Sequence, residues 1–572
     1  MNLNKNLHWF IYALFIFSCA RQSSPTGGPK DTIPPVLVRS IPPNEAIHFN
    51  AKEIQLMFSE DVILNAPKEQ LIVTPTIGKD YKLTYRKNTV TLQLEDPLED
   101  STTYTFNFRE TVQDITEKNP VRNLTLAYST GDYIDSLSIE GKIYDLLKGT
   151  EIKEASVGLH PENDTFNVLE HPAIYFTKTD KAGNFKISHL KPANYFVYAW
   201  EDKNRNLVVN SRSESYGFLS EYQYLMENIK AVSIGLIRLD AGPLKMTSAR
   251  PYNTYFNIRT TKNLRTFTLT TTDSTDSELS YSFGEDQANI RLYKTTAKDS
   301  IQIHLLAIDS IDNVIDTTLY AKYLTREVTP ENFDVKLISS SILAHRGQME
   351  AVLQFSKPLK ELNFDSIYFQ VDSLTRVNFS PEDFTWEILS KKMTIQKKLD
   401  RQLFDNGEYS APSRRGGRVQ QPVKQEAGDK KEIPLHELNL RRGAFISIEG
   451  DSSAQIVQTI KPLNEQELSV INMQIRTSEP SFFVELLDRS YKIIQRSTNQ
   501  HNVVFQDVVP GEYQIRLIID TNQNGRWDPG NYFKFTEPEK IIYYRAADGS
   551  TIIKGVMANW VIGTEGEMFI TY

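Results

Sequence analysis

Along most of its length this sequence alternates apolar and polar residues with a period of two. Ile54, Leu56 and Phe58 share one face, Val90, Leu92 and Leu94 a second, and Tyr104, Phe106 and Phe108 a third. Successive side chains of a strand point to opposite faces, so this pattern suits half-buried strands closed by turns and cannot be used by a helix. The 27 Tyr and 29 Phe, with many Val, Ile and Thr, suit pleated surfaces as well. The predicted fold class is therefore all-β, built of tandem β-sandwiches. At 572 residues the chain is too long for one core and should divide into three to five domains. Ordinary apolar and charged content excludes wholesale disorder. The net charge of −8 supplies no basic field, so no nucleic-acid partner is expected.

The single cysteine falls where it carries information. Lys5 is followed by an apolar run from Trp9 to Phe17, too short to span a bilayer but the right size for the core of a secretory signal, here 1–18. Ile16, Phe17, Ser18 and Cys19 resemble the lipobox of bacterial lipoproteins. That resemblance implies cleavage before Cys19 and acylation of it, palmitate included, as a membrane anchor. The other reading is a conventional signal peptide that contains a Cys. Several acyl chains hold a membrane far more firmly than one, at about 0.8 kcal/mol per buried CH2. With no other Cys, the mature chain forms no internal disulfide. Residues 19–30, rich in Ser, Pro and Gly, read as a flexible tether. Ala20, with no acid directly after Cys19, resembles lipoproteins forwarded to the outer membrane of a diderm bacterium. It leaves open which face of that membrane carries the protein.

The segment 31–132, with its PP start, FSEDV strand, TTYTF strand, Asp114 to Asn119 turn and closing YSTGD, resembles the bacterial Ig-like domain of S-layer and surface proteins. The segment 137–240 has a turn at Asp180 to Gly183, a Leu-x-Pro turn and a Tyr-rich strand. It resembles the carboxypeptidase-regulatory, transthyretin-like sandwich. The same cadence returns in 455–572: Leu190, Pro192, Tyr195 and Asp202 align without a gap on Val508, Pro510, Tyr513 and Asp520, an internal repeat. Between them, 245–328 reads as another sandwich. The segment 331–450 reads as a second Ig-like unit, because AVLQFSKPL and FTWEILSKKMTIQ are similar to IQLMFSEDV and YKLTYRKNTVTLQ. The stretch 406–432 interrupts it as a solvated, disordered insertion; its Arg414, Arg415 and Arg418 could alternatively dock an acidic partner or lipid headgroups.

Cys19 with its tether, the FSEDV sandwich, GAFISIEGD and the closing DTNQNGRWDPGN resemble, together, the multidomain Ig-like surface lipoproteins of Bacteroidetes. That resemblance implies an outer-membrane, lipid-anchored, non-catalytic scaffold with an envelope protein partner, in an assembly or uptake complex. The alternative is a glycan-binding surface protein, with Trp200, Trp386, Trp527 and Trp560 as candidate platform residues. A hydrolase comes third.

The sharpest chemical candidate is the loop Asp520, Asn522, Asn524, Gly525, Arg526, Asp528. Oxygen-bearing side chains at positions one, three, five and nine, with Gly at six and a backbone carbonyl at Arg526, follow the spacing of a Ca2+ loop. Position twelve is Asn531 where a full EF-hand needs Glu, and no helix signal flanks the loop. The competing reading is an Asx-rich turn that satisfies its own backbone. The sister loop Asp202, Asn204, Asn206, Asn210 keeps the spacing without the Gly. Nine scattered His form no metal-ligand pair, and neither a nucleophile elbow nor a phosphate loop is present. Glu201 and Asp202 are strand neighbours that point apart. No enzymatic activity is expected.

Overall fold

In a computed structural model, residues 30–77, 81–271, 279–295, 298–404 and 435–572 are described. The signal segment 1–18, Cys19, all of the tether except Lys30, and the insertion 406–432 lie outside them. The regular structure of the described residues is almost all strand and builds five β-sandwiches, each around its own apolar core.

In the first, Leu37–Ile41, Glu53–Phe58, Thr89–Leu94 and Tyr81–Arg86 form one sheet in that spatial order. Ile72–Thr74, Thr103–Asn107 and Thr125–Ser129 form the other, and Val62–Leu64 pairs with Val112–Asp114. Ile54, Leu56 and Phe58 meet Val90, Leu92, Phe106 and Phe108 in the core, as the period of two requires. The fourth sandwich repeats this topology. Val335–Leu343, Gln348–Phe355, Lys392–Lys398 and Phe384–Glu387 form its first sheet, and Ile367–Gln370, Glu437–Leu440 and Ile456–Thr459 its second. Leu359–Leu362 pairs with Phe445–Ser447. The expected break at 450–455 therefore falls too early. Ile456–Thr459 completes the fourth sandwich by pairing with Glu437–Leu440, and Pro462–Leu463 runs parallel to Val335–Leu343.

The second and fifth sandwiches also share one topology. Leu137–Asp145 lies between Asn184–Leu190 and a parallel strand, Ile229–Leu236; Ser469–Arg476 lies between Asn502–Val508 and two short parallel strands, Val561–Ile562 and Phe569–Thr571. In the opposite sheets, Ala193–Trp200 and Gly511–Ile519 are the central strands. The aligned tyrosines sit alike. Tyr195 donates its hydroxyl to the carbonyl of Lys191 at 3.1 Å and Tyr513 to that of Val509 at 2.5 Å, each four residues back. The residues ahead of the aligned Leu190 and Val508, His189 and Asp507, both take positive φ. The chain thus carries the first sandwich's topology followed by the second's twice, on either side of the third sandwich, 246–322.

The pairs do not run on as a string. The fifth sandwich returns to pack on the second, where Phe483, Leu487, Ile518, Ile541 and Tyr543 share an apolar cluster with Leu146.

Candidate functional site

The loop after Gly511–Ile519 begins at Asp520, which is 3% exposed. Its Oδ1 accepts from the backbone N–H of Asn524 at 3.0 Å; its Oδ2 accepts from the N–H of Gly525 at 2.9 Å and from the Ser481 hydroxyl at 3.0 Å. Asn522 Oδ1 accepts from Asn524 N–H at 3.2 Å, and Asn524 Oδ1 from Arg526 N–H at 3.0 Å. These are nested Asx turns, in which short side-chain oxygens satisfy a tight backbone that has no ladder to bond to.

The sister loop folds identically. Asp202 accepts from Asn206 and Leu207 N–H, Asn204 from Asn206 N–H and Asn206 from Val208 N–H, at 2.9 to 3.2 Å. Where Gly525 stands at φ +76°, Leu207 is held at φ +59°, so the lost glycine changes the strain and leaves the shape.

Two functional residues escaped the sequence reading. Glu539 accepts from the N–H of Thr521 at 2.7 Å and of Asp528 at 2.9 Å, tying positions two and nine of the loop together. Glu214 does the same in the sister loop, for Lys203 and Asn210. Both carboxylates are buried. They stand at different distances along the sequence from their aspartates, so no fixed spacing announces them; the only signal was a Glu a short way past each loop, and past the Asp520 loop Glu537 offers itself as well. Burial pushes the carboxyl of Glu539 above its ordinary value, and the charges of Asp528 and Asp520 push it the same way. Burial, with Glu214's charge behind it, does so for Asp202.

A hard cation would need amide oxygens turned toward the carboxylates. Here Asn522 and Asn524 both donate Nδ2–H to Asp528 Oδ2, at 2.5 and 2.6 Å, and the Arg526 guanidinium lies 3.2 Å from Asp528 Oδ1. The described residues hold no group of three or more His, Cys, Asp or Glu arranged for a metal. As folded, the residues fit a hydrogen-bonded turn rather than a calcium cage. Asn531, at position twelve, caps the turn 532–534 through its Oδ1 and donates Nδ2–H to the Ile311 carbonyl of the third sandwich.

The loop frames an excursion, 520–541, whose tip presses on the second sandwich. Tyr532 is buried among Phe196, Tyr198, Trp200, Tyr216 and Phe218, and its hydroxyl accepts from Val168 N–H at 3.0 Å. Of the four candidate platform tryptophans, Trp200 is wholly buried in this cluster. Trp386 packs edge-on to Phe355, and Trp527 donates to the Glu539 carbonyl. Trp560 is 45% exposed.

Buried charge elsewhere ties strands within a sandwich or joins one sandwich to the next. Lys357 is clamped by Glu449 and Asp451, and Lys262 lies 2.7 Å from Asp309. Lys391 donates to the carbonyls of Phe283 and Gly284 across the joint of the third and fourth sandwiches, beside a cleft of about 900 Å³. Burial lowers its pKa to about 8, with Arg291 acting in the same direction. His189 contacts Thr105 and His345 contacts Asp507, each between an Ig-like unit and the sandwich after it.

Residues 31–130 are a bacterial Ig-like domain, matched by the model of that family. No curated protein matches the chain. Among solved structures it is similar to the major pilin subunit of Bacillus cereus, at 11% identity, over 76% of this chain and 98% of that one, with a TM-score of 0.13. It is also similar to SGBP-B of the Bacteroides ovatus mixed-linkage glucan utilization locus (8%, 66% and 88%, TM-score 0.14). A third is Sidekick-1 immunoglobulin domains 1–4 (10%, 72% and 93%, TM-score 0.17).

Proposed function

We propose that this protein is a non-catalytic scaffold lipoprotein, held on an outer membrane through Cys19, that presents a block of sandwiches to an envelope protein partner. The observation that carries the non-catalytic part is where the buried polar chemistry goes. Lys262, Lys391, Asp520, Glu214 and Glu539 bind backbone or opposite charge and thereby fix turns and joints. A catalytic group must instead point at space a substrate can enter. Anchoring is tested by Cys19→Ser: fractionation should move the protein out of the membrane pellet, and a variant still processed and still wholly in the pellet refutes it. Crosslinking in whole cells followed by purification should recover one envelope protein in constant ratio; a chain recovered alone refutes the scaffold role.

One observation favours glycan binding as a second reading. Tyr222, Phe533 and Phe535 are exposed rings continuous with the aromatic cluster around Phe196, and Tyr224 is exposed on the neighbouring strand. Exposed ring faces are what sugar rings stack on. Affinity electrophoresis in polysaccharide gels should then show retardation that Phe533→Ala and Tyr224→Ala remove.

A further inference from the structure

The second to fifth sandwiches touch in a closed sequence. Second meets third through Lys262, which donates to the Asp240 and Gly242 carbonyls at 3.0 and 2.6 Å. Third meets fourth through Lys391, and through Tyr255 and Arg291 on Glu331. Fourth meets fifth where His345 and Arg346 hold the two oxygens of Asp507, at 2.9 and 2.6 Å. Fifth meets second across a gap in sequence of more than 300 residues. Besides Tyr532 on Val168, Glu537 accepts from the N–H and hydroxyl of Ser220 at 2.8 and 2.9 Å, Tyr543 donates to the Leu147 carbonyl, and Arg545 donates to that of Gly149 at 2.8 Å.

We propose that residues 520–545 are an intramolecular latch that closes the second to fifth sandwiches into a ring, so that the chain works as a closed frame and not as an extensible stalk. Three observations carry this. The contacts join apolar to apolar surface: Tyr532 fills the aromatic face of the second sandwich, and Tyr543 sits in a second apolar cluster with Leu146. The latch is itself rigid, because Asp520 and Glu539 pin both ends of the excursion. The receiving surface is shaped for it: Gly149, at φ +65°, has the Tyr543 ring where its Cβ would be, 2.4 Å from the nearest ring atom. In the second sandwich the equivalent loop, 202–215, keeps the pinning by Asp202 and Glu214, but its apolar middle packs on its own unit, where Val209 N–H bonds the Val168 carbonyl, and its reach to neighbours is polar, through Arg205 on Glu69 and Arg212 on the Thr261 carbonyl. The fifth sandwich has lengthened the same frame and reaches across with it.

A test follows from the Gly149 contact. A Cβ there would lie 2.8 Å from Cγ of Tyr543, which puts the two Cβ atoms within about 4.3 Å of each other, inside disulfide reach. Gly149→Cys with Tyr543→Cys, in the full chain with Cys19→Ser, should oxidise to a monomer that runs faster on a non-reducing gel and reverts on reduction. A stalk would hold these positions tens of ångströms apart and give unshifted monomer. Exchange of the latch between copies would give disulfide-linked dimer. Either result overturns the proposal. Because both substitutions touch the joint, a second pair, Ser220→Cys with Glu537→Cys bridged by a short bis-maleimide, should give the same intramolecular product. Adding Tyr532→Ala to either pair should slow bridging at least several-fold; an unchanged rate would show that the tip does not hold the ring.

Discussion

Asp520→Ala separates the two chemistries that the Asp520 loop could perform. The carboxylate accepts three hydrogen bonds, two of them from backbone N–H groups of a part-buried turn. Bonds to a charged acceptor contribute about 1.5 to 3 kcal/mol each, and stranded donors partly recover through water. A net loss of about 3 kcal/mol from the fifth sandwich is expected, which lowers the transition of a unit of this size by roughly 10 to 20 °C. In the turn reading, the loss is the same in millimolar Ca2+ and in chelator. If a cation bound here it would bind only the folded state, adding RT ln(1 + [L]/Kd), about 1.4 kcal/mol at ten times Kd. Wild type and variant are to be followed by calorimetry in both buffers. A wild-type transition that climbs with Ca2+, beside a variant that does not respond, would refute the turn reading and install a metal at this loop.

Other consequences are as direct. Lys391 has its pKa lowered from 10.5 to about 8, so between those values the unfolded chain binds more protons than the folded one and stability contributed here rises with pH. The full difference is about 3 kcal/mol, and Lys391→Met should flatten the pH 8 to 10.5 part of a denaturant series relative to wild type. Lys357→Met leaves the nearly buried Glu449 without its cation, while Asp451, more exposed, keeps its Ser447 bond; the change should cost about 3 kcal/mol, read as early loss of the fourth sandwich. Tyr195→Phe and Tyr513→Phe each remove one hydroxyl bond and should cost about 1 kcal/mol; being in different units, they should add in the double variant when measured by urea unfolding.

The sheets were legible because burial on one face writes itself into every second residue: Leu56 with Phe58 and Leu353 with Phe355 are core pairs in both Ig-like units. The gap-free alignment around Tyr195 and Tyr513 was legible for a similar reason, since a hydroxyl bond four residues back tolerates no insertion. The end of the fourth sandwich was not. Ile456–Thr459 is short and exposed at three of its four residues, so its pattern does not say which sheet it joins. Glu214 and Glu539 were invisible because a carboxylate that binds backbone N–H is chosen by position in space, and any loop length can deliver it. The contact of second with fifth sandwich was equally hidden. Phe196, Tyr198 and Trp200 alternate with Tyr195, Val197 and Ala199, so both faces of one strand are apolar. A continuous apolar strand signals cover on both sides but does not name the cover.

That doubly covered strand sets a schedule for biogenesis. Val168 and Tyr532 are 364 residues apart, and at about 5 to 20 residues per second a ribosome needs roughly 20 to 70 s to make the chain between them. A second sandwich that folds before the fifth arrives therefore waits with Phe196 and Phe218 uncovered, and aromatic surface left open that long is a substrate for chaperones and for aggregation. Truncation anywhere before residue 520 would make the wait permanent, so the yield of shortened chains should depend on holdase supply far more than that of the whole protein.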